Sequence, residues 1–194
     1  MSDFVDPFEG KGSLKPWRKA ERERLIAARL ALPADVRTAY AAVLAEKLDA
    51  MVGDVAGKVV AIYWPFRGEP DLREWAGAMS GRGATIALPV VVEKAAPLVF
   101  RSWKAGEKLE KGVWNIPIPA EGAQVVPDVV ISPVVGFDGN NFRLGYGGGF
   151  YDRTLAALAR RPVVIGVGYE LQRIATIHPQ SYDIPMDMVL TETR

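Results

Sequence analysis

The chain contains no cysteine and a single histidine, His178. Disulfides, thiolate-held metals and a cysteine nucleophile are therefore excluded, as is any metal cluster built on several imidazoles of one chain. Net charge is also missing. The 24 Lys and Arg stand against 23 Asp and Glu, a formal +1, so no global field argues for nucleic acid or an anionic membrane as partner. No apolar run approaches the ~20 residues that span a bilayer. The opening stretch Met1–Ser13 is polar and mixed, without the apolar core of a signal peptide. These absences fit a cytoplasmic protein with neither nucleic acid nor membrane as partner; small-molecule substrates and a monomeric state are expected alongside, on other grounds than composition.

What is present suffices for one core. About half of the 194 residues are hydrophobic, which fits a single domain over 16–194, preceded by a loosely ordered segment over 1–15. The pattern predicts a helix over 16–30, rich in helix formers, with Arg18 and Arg22 one turn apart on a face that Arg29 rejoins two turns later. That face is either a solvated charged stripe or a basic surface delivered to a phosphate. A second helix is expected over 33–52, opened by Pro33 and closed by Gly53. Short β-branched runs at 58–63, 85–92, 98–103, 128–135, 163–167 and 188–191 read as strands, with helices at 72–79 and 151–160. Lys111–Pro119, with two prolines and a glycine, reads as irregular and presents Trp114 as a lid on the core or as a platform for a flat ligand. Strands alternating with helices place the chain in the α/β class: a mostly parallel sheet flanked by helices, a Rossmann-like, three-layer single domain. Ligands of such sheets lie beyond the carboxyl ends of the strands, and one crevice is expected to gather Glu69, Arg143, Asp152 and Asp187.

The most informative stretch is Arg143–Asp152, RLGYGGGFYD, with four glycines in ten residues and a helix directly after it. Consecutive backbone N–H groups in such a loop can turn inward as an anion nest, and a helix N-terminus adds partial positive charge at the same place. Arg143 contributes a planar donor fork and Asp152 a carboxylate suited to Mg²⁺ carried by phosphates. A tight strand-to-helix turn is the alternative. Neither a Walker A loop nor the dinucleotide fingerprint is present.

The string GFDGNNFRLGYGGGFYDR, with WNIPIP before it and DMVLTE after it, resembles the 5-formyltetrahydrofolate cyclo-ligase family, also called methenyltetrahydrofolate synthetases. The resemblance implies conversion of 5-formyltetrahydrofolate to 5,10-methenyltetrahydrofolate with ATP as co-substrate and Mg²⁺ as cofactor. By matching position it implies that the stretch Arg143, Leu144, Gly145, Tyr146, Gly147, Gly148, Gly149, Phe150 and Tyr151 holds ATP, with Arg18 and Arg22 reaching it from the first helix. It further implies Asp152 and Asp187 as metal carboxylates, Trp64, Glu69 and Trp114 against the folate, and Arg143 and Tyr151 in catalysis. Two positions depart from the family pattern: the register among Lys15, Arg18, Lys19 and Arg22 is ambiguous, and Tyr182 stands before Asp183 where many members have histidine. His178 is expected to be structural or simply at the surface. A sugar-phosphate isomerase or acyl-transfer enzyme, and a non-enzymatic RNA- or partner-binding relative, are the competing classes.

Overall fold

The computed structural model describes residues 14–193. The expected loose segment 1–15 falls mostly outside them, and its last two residues already belong to a helix. In chain order the elements are α1 (Leu14–Leu30), α2 (Ala34–Val52), β1 (Val59–Ala61), α3 (Arg73–Gly81), β2 (Thr85–Val90), β3 (Val99–Ser102), β4 (Leu109–Lys111), β5 (Pro117–Pro119), β6 (Gln124–Val125), β7 (Val129–Pro133), β8 (Gly136–Phe137), β9 (Arg143–Leu144), α4 (Phe150–Ala157), β10 (Val163–Val167) and β11 (Met188–Leu190). Seven strands form one sheet in the order β11-β10-β7-β1-β2-β3-β6. The five from β11 to β2 are parallel; at one edge β3 pairs antiparallel with β2, and β6 antiparallel with β3.

Side-chain alternation builds the layers. Val60 and Ile62, Ile86 and Leu88, Val129 and Ile131, and Ile165 and Val167 point to one face, where they meet Leu44 and Leu48 of α2 and Trp75, Ala76 and Met79 of α3. The intervening Ala61, Ala87 and Val130 face the other way with Phe100 and receive Tyr151 of α4. Val164 faces that way too and meets Leu155 of α4. The small alanines at the centre of this second face give the first turn of α4 room to settle on the strands. Helix α1 packs elsewhere: Leu25 joins Val135, Leu144 and Ile177 around the hairpin that β8 and β9 form. No helix among the described residues is long and apolar enough to cross a membrane.

The segment expected to be irregular is paired, and so is the stretch that follows β7. Lys111–Pro119 contains much of a hairpin, in which Leu109 faces Pro119 and Lys111 faces Pro117. Ladder bonds run at the neighbouring positions, from Gly112 N–H to Ile116 and from Ala120 N–H to Lys108. The prolines thus occupy positions where the ladder needs no donor, and that is why they do not break it. Residues 136–144 form the β8–β9 hairpin. Its turn is held by buried Asp138, whose Oδ1 accepts from the N–H groups of Asn140 and Phe142.

Candidate active site

From β1 the chain crosses to β2 on one side, and from β7 it crosses to β10 on the other. The strand order therefore reverses between β1 and β7, and a parallel sheet opens a crevice beyond the strand ends at such a point. A cavity of about 790 Å³ lies there, with Tyr63 and Trp64 past β1, Pro89 and Val91 around the end of β2 and Pro133 at the end of β7 in its walls.

One wall is aromatic. Trp114 sits at the tip of the β4–β5 hairpin in left-handed backbone, φ 57°, and is 52% exposed. A bulky residue is rarely found in that conformation, and here it turns the indole toward the cavity instead of the core. Its ring lies parallel to that of Phe66 at 6.4 Å and 6.0 Å from that of Tyr146. Trp64 packs edge-on against Trp103, with the Arg73 guanidinium over its ring at 4.7 Å. Ile116 and Ile118 complete this side.

The facing wall is the glycine loop. Gly145 through Gly149 line the cavity, and Gly147 (φ 96°) and Gly149 (φ 63°) use backbone that only glycine adopts without strain. Gly149 caps α4, so the helix N-terminus faces the same space. Arg22 donates from Nε to the Gly145 carbonyl at 2.6 Å. A Cβ on Gly147 would lie 3.3 Å from the Arg22 guanidinium carbon, so loop and arginine are in close contact. Burial, followed by the like charge of Arg18, lowers the pKa of Arg22 from its ordinary value.

Arg18 also borders the cavity, but its donors are committed. It pairs with Asp183 at 2.6 Å and donates to the carbonyls of Ile177 and His178. The expected delivery of Arg18 to a phosphate is therefore not what the fold shows; Arg18 clamps the 177–183 segment onto α1. His178 lies inside that clamp, edge-on to Trp17 at 4.8 Å, which is a structural setting. Of the basic residues in the ambiguous register, Lys15, Arg18 and Arg22 line the cavity.

Arg143 and Asp152 are partners of one another. The guanidinium of nearly buried Arg143 donates to Asp152 Oδ1 at 2.7 Å and to the Ile184 carbonyl, and lies 5.5 Å from the centre of the Tyr151 ring. Ile184 N–H donates to the same Asp152 oxygen at 3.0 Å. Burial, then the Glu69 charge, raises the Tyr151 pKa well above a normal phenol, so its hydroxyl stays protonated.

Glu69 is buried at the far end of a tight turn. Its Oε2 accepts from Phe66 N–H at 2.9 Å, and its Oε1 accepts from the Tyr146 hydroxyl at 2.8 Å. Arg29, fully buried, donates to that same hydroxyl at 2.7 Å. Burial pushes the Glu69 carboxyl up to about 7, opposed by Arg29 and by the two hydrogen bonds. Sequence reasoning placed Arg29 on an outer stripe; in the structure it is an interior hub. It also missed Phe66 and Asp183 in the cavity wall, although Phe66 shares a loop with Trp64.

Asp152 and Asp187 do not meet. Asp187 precedes β11, at the amino end of the parallel strands, and its Oδ2 accepts from Val164 N–H at 2.7 Å. Arg161 pairs with its Oδ1 at 3.2 Å. Both partners belong to the start of β10, opposite the crevice, so the carboxylate completes a strand end. Asp152 lines the cavity, and among the described residues nothing donates to its Oδ2. The described residues contain no group of three or more potential metal-ligating side chains. This donor set suits Mg²⁺ arriving on a nucleotide, since that ion takes one or two carboxylates and fills its octahedron with phosphate oxygens and water.

Fold and cavity together define an α/β enzyme whose ligand cleft lies at the switch point of a parallel sheet. The chain belongs to the 5-formyltetrahydrofolate cyclo-ligase family, a family of ligases of folate one-carbon metabolism, whose model matches residues 14–192. It is similar to the 5-formyltetrahydrofolate cyclo-ligase of Mycolicibacterium smegmatis, 30% identical over 190 residues that cover 93% of this chain and 97% of that one. The Escherichia coli K12 protein of the same name is 31% identical over 147 residues, 72% of this chain and 81% of its own. Among solved structures, Aquifex aeolicus 5,10-methenyltetrahydrofolate synthetase superposes with a TM-score of 0.79 at 27% identity, covering 91% of this chain and 90% of that one.

Proposed function

We propose that the chain converts 5-formyltetrahydrofolate to 5,10-methenyltetrahydrofolate, consuming ATP brought in with Mg²⁺ and releasing ADP and phosphate. The observation that carries this reading is one cavity with two unlike walls: flat aromatics around Trp114, and a glycine loop at a helix N-terminus with Arg22 and Arg143 beside it. The first suits a pterin and the second a triphosphate. The reaction needs both in contact, because a formyl oxygen is a poor leaving group until it is phosphorylated.

In this reading the formyl oxygen attacks the γ-phosphorus and ADP departs. The N10 nitrogen of the folate then adds to the activated carbon and loses its proton, and phosphate leaves as the ring closes. Phosphoryl transfer asks the protein chiefly for positioning and charge stabilisation. The loop N–H groups and Arg22 neutralise the phosphates, and Arg143 is held rigid by Asp152 and Ile184 beside them. Asp152 is the side chain that would hold Mg²⁺, which neutralises phosphate charge when bound. Glu69 accepts hydrogen bonds from the polar edge of the pterin, and Tyr151 keeps a protonated hydroxyl beside the reacting groups. Absorbance of the methenyl product, followed from 5-formyltetrahydrofolate with and without ATP, tests the whole scheme. Formation without ATP, or no formation with it, would sink the scheme.

A further inference from the structure

Tyr146 belongs to both walls at once. Its backbone lies in the glycine loop between Gly145 and Gly147, while its ring packs edge-on to Phe66 at 5.7 Å and against Trp114. Its hydroxyl is the middle of a relay: Arg29 donates to it at 2.7 Å, and it donates to Glu69 at 2.8 Å. Arg29 itself stands 3.9 Å from Glu69, too far for a hydrogen bond, so the direct link runs through the phenol.

The turn that carries Glu69 is held from three directions. Glu69 N–H closes it on the Phe66 carbonyl, with Arg67 (φ 48°) and Gly68 (φ 76°) at its centre. Arg29 Nε donates to the Arg67 carbonyl and the Tyr169 hydroxyl to that of Gly68. Among the described residues, Tyr146 is the residue of the glycine loop that hydrogen-bonds into this turn. Anything that orders the loop therefore orders Glu69 through one hydroxyl, and the converse holds by linkage.

Resting on the functional reading above, we infer that Tyr146 is a positioning residue that couples the two substrate sites, so that nucleotide on the glycine loop sets Glu69 to receive the folate. The coupling is local and physical: one side chain with its main chain in one site and its hydroxyl in the other. The groups facing Glu69 are Arg29 from α1, Tyr146 from the loop, Tyr63 past β1, Tyr151 from α4 and Tyr169 past β10. Of these, Tyr146 is the phenol hydrogen-bonded to it. The bond favours the charged carboxylate, the form that accepts from the donor-rich edge of a pterin.

The test uses the full chain and Tyr146→Phe, which keeps the ring and its aromatic contacts. Calorimetry measures 5-formyltetrahydrofolate binding with and without adenylyl imidodiphosphate, the non-hydrolysable ATP analogue, with Mg²⁺. In the wild type the analogue should tighten folate binding by about 5- to 10-fold. In Tyr146→Phe that factor should fall to near one, whatever the change in either ligand's affinity alone. The acid limb of folate affinity against pH should also move to higher pH, since the carboxylate loses a donor. Equal coupling in the variant, no coupling in the wild type, or an unmoved acid limb would each overturn the role of Tyr146. Failure of the wild type to bind either ligand is a different result, and overturns the functional reading instead.

Discussion

Truncating Trp114 to alanine should cost folate affinity and little else. The indole is 52% exposed and belongs to none of the buried clusters. A tryptophan offers roughly 150–250 Å² for burial, so about 100 Å² of it remains to be covered. A flat ligand on one face covers about half of that, ~50 Å², worth ~1.3 kcal/mol at ~25 cal/mol per Å². Ring stacking adds ~0.5–1.5 kcal/mol. The sum, ~2–3 kcal/mol, is a loss of roughly 30- to 150-fold in Kd for 5-formyltetrahydrofolate. Both residues are non-glycine at the same positive φ, so backbone strain largely cancels between them. Binding is read by calorimetry for the folate and, separately, for the non-hydrolysable ATP analogue, alongside a thermal melt. The expected variant melts within about 3 °C of wild type, since ~1 kcal/mol shifts Tm by ~2–4 °C at this size, and it keeps its nucleotide affinity. A matching loss of nucleotide affinity, or a much larger fall in Tm, would show that Trp114 supports the whole cavity and is no folate platform.

Three further outcomes follow from the same geometry. Burial holds the Glu69 carboxyl near 7 in the folded chain against ~4.3 unfolded. The native state therefore holds an extra proton between those values, and stability falls as pH rises through that window, by up to ~4 kcal/mol. Glu69→Gln removes the titrating carboxyl while its one carbonyl oxygen keeps one of the two acceptor bonds, and it should flatten that part of the urea-denaturation profile; an unchanged slope refutes the burial argument. Arg22→Met should raise the KM for ATP by roughly 10- to 150-fold, the worth of a lost charge-assisted hydrogen bond of ~1.5–3 kcal/mol, while folate affinity holds; steady-state kinetics with each substrate varied decides it. Asp152→Asn should raise the Mg²⁺ concentration for half-maximal turnover, whereas Asp187→Asn should leave it at the wild-type value and lower stability slightly; a shift of metal dependence in the second would contradict its placement at the strand ends.

The contrast between Asp152 and Asp187 shows what a sequence carries about a site. Local geometry was legible: the glycine run marked 143–152 as a strand-to-helix loop before any fold was known, and the structure gives it positive-φ glycines at a helix cap. The parallel core was legible too, because buried strands announce themselves as β-branched runs and 163–167 falls on β10 to the residue. The two hairpins were not. A proline in a run counts against a strand unless the partner's register is known, and register is a property of pairs.

Long-range partnership is where single residues mislead. Arg18, Arg22 and Arg29 repeat along one helix at spacings that read as one stripe, yet they end in three environments: clamped on Asp183, lodged against the glycine loop, and sealed in the interior. All three lie on α1, but its successive turns meet different neighbours, the β8–β9 hairpin among them. Arg29 is the instructive case. A guanidinium is costly to bury unless its donors are met, and here they are met by two main-chain carbonyls and a phenol drawn from three separate loops. No pattern within α1 foretells those acceptors, because each of them exists only once β1, β7 and β9 have assembled. Arg29, which holds the Tyr146 hydroxyl and the turn that carries Glu69, was thus visible only as one more basic side chain until the loops around it were in place.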